Sequence, residues 1–190
     1  MSDVTTGATR ETLDSYVTDM LALEQHIQTA IAGQIADLDD SSQFKSALVG
    51  MHLAFEARVS ALEALTQSRE QNVGGLSKVV KKAVSTVIGA GAAAIDFVRT
   101  EKLPKNLRDD YTAISLAYIG YVMLYTSALT FDDAEVAAMA KSHSMQHAES
   151  IASLQTIIPQ ATVAELVSQG AIADHGVFAK VREAIEQAWA

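Results

Sequence analysis

Two histidines on one predicted helix and two glutamates on two others form the pattern in this chain most able to do chemistry. His143 and His147 are four residues apart, so both imidazoles lie on one face of a helix. Glu24 and Glu56 lie midway along two earlier predicted helices. Carboxylates and imidazoles that project inward from several helices can hold a transition metal. The pattern predicts a metal site at these four residues; the alternative is that they are surface or hydrogen-bonded polar residues.

The predicted central helix limits what such a site could bind. Residues 111–131 contain no Asp, Glu or His. A dinuclear site takes acids from facing helices, so a complete di-iron or di-manganese centre is not expected. We expect no resident cofactor. If the protein binds iron or another divalent metal, we expect fewer than two ions per chain. Asp19 and His52 are second choices as ligands.

Other side chains point less clearly to chemistry. Tyr118, Tyr121 and Tyr125 lie near one face of the central helix, where they could be redox-active beside a metal. Core tyrosines that are hydrogen-bonded to their neighbours are the more ordinary interpretation. No Gly-rich phosphate loop or nucleophile elbow is present. The sequence therefore leaves open whether the protein is an enzyme.

The elements that position these residues are helical. Apolar residues recur at spacings of three and four over residues 13–35 and 44–65, which predicts two amphipathic helices separated by a break at residues 39–42. The uncharged residues 111–131 predict a third helix, beginning near Pro104 and enclosed on all sides. The alternative of a membrane span is disfavoured, because the flanks show no asymmetry of Lys and Arg.

The rest of the chain is predicted as one further long helix and two additions. Asp132 or Asp133 caps the fourth helix, which runs from about Ala134 to Ile157 and ends before Pro159. Residues 76–98, rich in Gly and Ala, predict a small-residue helix inserted between the two helical pairs. Two short amphipathic helices follow the proline. The predicted organisation is a helical bundle over residues 1–158 and a C-terminal helical extension over residues 159–190.

Composition excludes several classes of function. The chain of 190 residues has a net charge of -9, which argues against a nucleic-acid partner. It has no cysteine, so thiolate catalysis and cysteine-type zinc sites are excluded. The first residues lack the apolar stretch of a secretory signal, and we expect a cytoplasmic protein.

Three segments carry a family resemblance: DSYVTDMLALEQ in the first helix, HLAFEARVSALEAL in the second, and SLAYIGYVMLYTSALTFDDAEVAAMAKSHSMQHAESI across the third and fourth. They resemble the ferritin-like superfamily, in particular its bacterial stress-induced YciF-type branch. The resemblance covers most of residues 10–158. It implies a ferritin-like four-helix bundle, a homo-oligomer (a dimer), a role in stress protection, and iron binding where the ligands are retained.

The ligand pattern that the resemblance implies is broken in this chain. It asks for Glu-x-x-His on the second and fourth helices. Three residues after Glu56, the position of the His is occupied by Val59, and three residues before His147, the position of the Glu is occupied by Ser144. We therefore expect a stress-associated ferritin-like protein with a degenerate or absent di-iron site, acting mainly through protein or surface contacts. The alternatives are a metal-binding, oxidase-type protein with an unusual ligand set, and a helical protein that associates with membranes. A peripheral membrane or a protein partner could bind through residues 76–98.

Overall fold

A computed structural model describes residues 2–71, 102–171, 174 and 176–189 of the chain. Within these residues there are five α-helices and no strand, which confirms the predicted all-α class. The helices are α1 (Ser2–Asp37), α2 (Lys45–Gln71), α3 (Lys102–Thr130), α4 (Ala134–Ser168) and α5 (Val177–Trp189). The predicted inserted helix at residues 76–98 lies outside the described residues.

Short polar breaks separate the helices within each pair, as predicted. Between α1 and α2 the carboxylate of Asp39 accepts hydrogen bonds from the backbone N–H and the hydroxyl of Ser41. Between α3 and α4, Asp132 adopts a left-handed φ of 58°, which Asp tolerates better than most residues. Asp133 then caps α4, its side chain accepting from the backbone N–H of Val136 at 3.1 Å. These tight junctions hold each pair of helices side by side.

The predicted end of the fourth helix before Pro159 is wrong. Helix α4 continues through Pro159 to Ser168, so the first of the two predicted C-terminal helices is the last part of α4. Proline removes one backbone hydrogen bond. Here the fully buried Leu154 and Ala161 lie on either side of it, and their packing keeps the helix continuous. The helix ends instead near Gly170, whose φ of 94° suits glycine.

Contacts between side chains define the directions of α1, α2 and α3. Glu24 of α1 contacts Arg58 of α2, and Asp14 contacts Arg69 further on, so α1 and α2 are antiparallel. Glu24 also contacts Tyr121 of α3, whereas Gln34 contacts Asp110. Helices α1 and α3 are therefore antiparallel. Helices α2 and α3 consequently run parallel to each other.

Helix α4 completes the arrangement. Its His143 contacts Tyr121 and its Gln155 contacts Tyr111, so α4 is antiparallel to α3 and parallel to α1. Helix α3 packs against both α4 and α1, and α1 packs against α2.

The expectation that the third helix is enclosed on all sides is wrong. One face of α3 is fully buried, including Leu124, but Leu116, Ile119 and Met123 are 58%, 48% and 56% exposed. Among the described helices, Leu103–Thr130 is the one long and apolar enough to cross a membrane, and 28% of its most apolar 18-residue stretch is buried. A core helix of a soluble protein meets the same length and hydropathy criteria, so this finding does not place the protein in a membrane.

Candidate functional site

Glu24 is a fully buried carboxylate at the centre of the four long helices. It accepts hydrogen bonds from one side chain on each of the other three helices: Arg58 Nε at 3.2 Å, the Tyr121 hydroxyl at 2.8 Å and His147 Nε2 at 2.6 Å. These residues, together with His143, form what we call the central cluster. Arg58 is 1% exposed, and Glu24, Tyr121 and His147 are 0% exposed, so the interactions form away from water.

Arg58 is the positive charge of the cluster. Its guanidinium carbon lies 4.1 Å from the centre of the Phe55 ring, one helical turn earlier on α2, and stacks on it. Nη1 donates to Oε1 of Gln146 at 3.3 Å. Within the described residues, Nη2 is buried and has no hydrogen-bond partner. The guanidinium is therefore held in place by three neighbours, though one of its donors is not satisfied.

Tyr121 links the carboxylate to the second histidine. Its hydroxyl has one proton, which it donates to Glu24, so it must accept a hydrogen bond from Nδ1–H of His143 at 3.0 Å. The ring stacks on His147, with centroids 5.4 Å apart, and meets His143 edge-on at 5.1 Å. A continuous chain of hydrogen bonds thus runs from His143 through Tyr121 to Glu24.

Burial and charge determine the protonation of the cluster. Burial alone would raise the pKa of Glu24, but hydrogen bonding and charge interactions with His147, the charge of Arg58 and the Tyr121 hydrogen bond together lower that pKa below its usual value. Burial lowers the pKa of His143 to about 4 and also lowers that of His147. Burial, with the charge of Glu24, raises the pKa of Tyr121. At neutral pH the cluster therefore holds one carboxylate, one guanidinium, two neutral imidazoles and a neutral phenol.

The structure brings together three of the four predicted metal ligands. Glu24, His143 and His147 all belong to the central cluster. Glu56 does not, because it is exposed on the opposite side of α2 from the buried Phe55 and Arg58. Glu56 is therefore removed from the candidate site.

The two further ligand candidates also lie outside the cluster. Asp19 is exposed, and His52 is half-buried on α2. The structure adds Arg58, which the sequence does not single out, and Tyr121, which it suggests only as a hydrogen-bonded core tyrosine or a redox-active one. Both lie on the seven-residue apolar repeat of their helices, a signal that could have identified them.

Metal binding by the cluster is not indicated by its geometry. Over residues 2–71 and 102–171, and the described part of the C-terminus, no group of three or more His, Cys, Asp or Glu side chains could hold a metal ion. His143 points its Nδ1 at Tyr121, and the guanidinium of Arg58 bonds to both oxygens of Glu24. A cation bound at Glu24 would have to compete with Arg58.

Two other sets of polar side chains interact between the four long helices, one on each side of the central cluster. At one end, Arg69 of α2 pairs with Asp14 of α1 and, at 2.8 Å, with the α4 cap Asp133. Towards the other end, Gln34 of α1 donates to Oδ1 of the buried Asp110 at 2.9 Å. Burial, aided by the charge of the adjacent Asp109 and only partly offset by Gln34, raises the pKa of Asp110 to about 6.

Comparison of the chain with protein-family models, with curated proteins and with solved structures finds no match. The functional argument therefore rests on the helix directions and on the chemistry of the central cluster. Together these define an all-helical protein with a charge-balanced polar cluster at its centre.

Proposed function

We propose that this protein is a ferritin-like four-helix bundle in which an internal ion pair replaces the metal centre, and that it acts through protein or surface contacts in stress protection. The helix directions support the fold. Helices α1 and α2 form one antiparallel pair and α3 and α4 another, with α2 parallel to α3. Ferritin-like folds have these helix directions, because one of their connections is a long crossover.

The ion pair between Arg58 and Glu24 is the observation that carries this proposal. In a ferritin-like bundle, carboxylates and imidazoles from the four helices converge on metal between them. Here the side chains converge in the same way, but the cation they surround is a guanidinium on α2. One positive charge balances the single carboxylate. A divalent ion close to Arg58 would be repelled, because charge repulsion is strong where water is excluded.

The place of α3 in the cluster supports the same proposal. Its contribution is Tyr121, a neutral hydrogen-bond donor to Glu24, where a dinuclear site would take a bridging acid. We propose that the protein is cytoplasmic and that the C-terminal extension includes α5. A peripheral membrane or protein contact through residues 76–98 stays a prediction, since that segment lies outside the described residues.

Metal content tests this proposal against the oxidase-type alternative. We expect the purified protein to retain fewer than one transition-metal ion per chain after aerobic purification and after anaerobic ferrous loading, measured by elemental analysis. Glu56→Ala, at the exposed glutamate, serves as the matched control and leaves that value unchanged. Two tightly held ions per chain, lost in Glu24→Ala and His147→Ala but not in Glu56→Ala, would show that the oxidase-type alternative is correct.

Replacing Arg58 tests its role as the internal cation. Arg58→His removes the permanent charge and adds an imidazole beside Glu24, His143 and His147, so this variant should bind Co²⁺ with the visible absorption of a low-coordinate site. Arg58→Met removes the charge without adding a ligand, and we expect weaker binding. If the wild-type protein binds Co²⁺ as tightly as Arg58→His does, the guanidinium does not occupy the cation position.

A further inference from the structure

A pocket with a volume of about 550 Å³ lies between the second half of α4 and helix α5, away from the central cluster. Helix α4 contributes Gln155 and Pro159 to its wall, and α5 contributes side chains from Phe178 to Glu186. Over that part of α5 a helix rises about 12 Å. Small-molecule sites in proteins have volumes of about 300–1,000 Å³, so this pocket has the size of a ligand site.

The pocket exists because α5 packs only loosely on α4. Val177, Val181 and Ile185 recur at spacings of four on the side of α5 towards α4, but they are only half-buried. No residue of α5 is fully buried, and Phe178 at the pocket is 45% exposed. An amphipathic helix normally buries its apolar side against its neighbour. Here apolar surface stays uncovered, and covering it with an apolar ligand group would stabilise the complex.

The wall of the pocket favours a flat ring over a long hydrocarbon chain. The ring of Pro159 lines the pocket from α4 and the ring of Phe178 lines it from α5, together with two aliphatic side chains. Aromatic rings pack well against such surfaces. Gln155 and Thr156 also line the pocket. A plain hydrocarbon chain would cover these two side chains without giving them a hydrogen bond, which is unfavourable.

Arg182 supplies a positive charge at the mouth of the pocket. Its side chain is 79% exposed and lies 3.6 Å from that of Glu186, which is 71% exposed. This separation is longer than a hydrogen bond, and exposed ion pairs contribute little free energy. The planar guanidinium of Arg182 is therefore available to a carboxylate, which it can bind through two parallel hydrogen bonds.

Pro159 leaves a hydrogen-bond acceptor at the wall of the pocket. Proline has no N–H, so the backbone carbonyl of Gln155, one turn earlier in α4, lacks the donor that an α-helix normally provides. Both residues line the pocket. A backbone carbonyl without its helical donor can accept a hydrogen bond from a bound molecule. A ligand that has its own N–H group matches this position.

We propose that the pocket between α4 and α5 binds an aromatic carboxylate that carries an N–H group, of the indole carboxylate type. The ring packs between Pro159 and Phe178. The carboxylate binds the guanidinium of Arg182, and the N–H donates to the backbone carbonyl of Gln155. Small-molecule sites combine an apolar lining with a few placed polar groups in this way. The inference goes beyond the proposed function and does not rest on it.

Isothermal titration calorimetry of the full chain with indole-3-propionate tests the site. For a ligand of about 14 non-hydrogen atoms we expect a dissociation constant on the order of 100 μM. Arg182→Met should raise the constant at least about tenfold, because a charge-assisted hydrogen-bonded pair is lost. Lys180→Met is the matched control, since Lys180 is a cation on the same helix, 72% exposed, that pairs with Asp174 and does not line the pocket. It should leave the constant unchanged.

Two changes to the ligand test its polar groups separately. 3-Ethylindole lacks the carboxylate and should bind equally weakly to the wild type and to Arg182→Met. The benzofuran analogue of indole-3-propionate has an oxygen in place of the N–H and should bind the wild type at least about fivefold more weakly than the indole does. Pro159→Ala restores a backbone N–H for the carbonyl of Gln155. In that variant the preference for the indole over the benzofuran should disappear, whereas the preference for a carboxylate should remain.

Three results would overturn the proposal. The first is a wild-type chain that does not bind indole-3-propionate at about 1 mM. The second is an equal effect of Arg182→Met and Lys180→Met on the dissociation constant, which would leave only general attraction between charges. The third is equal affinity of the wild type for the indole and its benzofuran analogue, which would remove the carbonyl of Gln155 from the site. None of these results bears on the central cluster or on metal content, so this inference stands or falls separately from the proposed function.

Discussion

Replacing the buried Asp110 by asparagine should stabilise the protein at neutral pH. Asp110 is 4% exposed, and Gln34 donates to its Oδ1. Within the described residues, Oδ2 of Asp110 and Oε1 of Gln34 are both buried without a hydrogen-bond partner. An ionised carboxylate therefore has one donor and no cation. Asparagine keeps the acceptor, has no charge, and replaces the second carboxylate oxygen by an N–H donor.

The magnitude follows from the pKa of Asp110. Burial raises that pKa from 3.8 to about 6, so above pH 6 the folded state must hold a carboxylate that prefers to be protonated. The difference corresponds to about 3 kcal/mol of lost stability at pH 7. The folded state binds the proton more tightly than the unfolded state does. The stabilising contribution of the protonated Asp110 carboxyl is complete below pH 3.8 and is lost as the pH rises through 6. Asp110→Asn should therefore gain up to about 3 kcal/mol at pH 7 and almost nothing at pH 3.8.

His143 has the opposite dependence on pH. Its pKa falls from 6.5 to about 4 because burial disfavours the imidazolium. Here the unfolded state binds the proton more tightly, so about 3 kcal/mol of stability is present above pH 6.5 and is lost between pH 6.5 and 4. In the wild-type protein the effects of His143 and Asp110 nearly cancel over pH 4–6. In Asp110→Asn the dependence due to His143 remains, so the stability of this variant should rise steeply over that range.

Urea unfolding of the two proteins at intervals between pH 4 and 7.5 measures both effects. The control is Asp132→Asn, because Asp132 is exposed and its left-handed backbone conformation suits asparagine. It should change the free energy of unfolding by less than about 0.5 kcal/mol at every pH. If Asp110→Asn is less stable than the wild type at pH 7, Asp110 is ionised and favourably paired, and the reasoning is refuted.

Two further pairs of substitutions test the burial of α3 and the ion pairs of α2. Leu124→Lys places a charge at a fully buried position and should cost several kcal/mol or prevent folding. Ile119 is about half exposed, so Ile119→Lys should change stability by less than about 0.5 kcal/mol in a thermal melt. Equal losses in the two variants would contradict the one-sided burial of α3. Arg69→Met removes the cation that joins carboxylates of α1 and α4 and should cost about 1–3 kcal/mol, whereas Arg182→Met, at an exposed pair on α5, should cost almost nothing. Equal effects at Arg69 and Arg182 would show that the partly buried pair contributes no more than a surface one.

The helices and their junctions could be predicted from the sequence because local chemistry determines them. The polar break at residues 39–42, Pro104 in the first turn of α3 and the capping Asp133 each act over a few residues. The continuation of α4 through Pro159 could not be predicted in this way. It depends on packing of Leu154 and Ala161 in the core, which is a tertiary effect.

The exposure of α3 could not be predicted from its lack of charge, because an uncharged helix is not always a buried one. Its hydroxyl side chains donate to backbone carbonyls one turn earlier, as Thr112 does to Arg108 at 3.1 Å and Thr126 does to Val122 at 2.8 Å. Such side chains satisfy their own hydrogen bonds on the helix and can face either solvent or a neighbour. The uncharged stretch therefore fits a helix with one buried face and one outward face available for contact.

The contacts of the central cluster that form within one pair of helices, by contrast, follow from two rules that need only the sequence. On α2 the buried positions other than Val59 follow one another in steps of three and four, and Arg58 occupies one of them, whereas Glu56 does not: Leu48, Met51, Phe55, Arg58, Leu62, Leu65, Arg69. The same steps on α1 include Glu24: Leu13, Val17, Met20, Glu24, Ile27, Ile31. A polar residue in such a series is buried and must find a partner.

The second rule identifies the partner. In an antiparallel pair of helices, residues equally far from the turn lie at the same level. Glu24 and Arg58 are equally distant in sequence from Ser41, which lies in the first break. Tyr121 and His143 are likewise equally distant from the second junction, measured from Asp132. Both pairs are in contact in the structure, so the rule finds the correct partner on each side of the bundle.

How the two pairs of helices meet is what these rules leave undetermined. No local pattern within either pair specifies the relative position of the two pairs. The hydrogen bond from His147 to Glu24 therefore required the structure, and that bond joins the two pairs of helices at the central cluster.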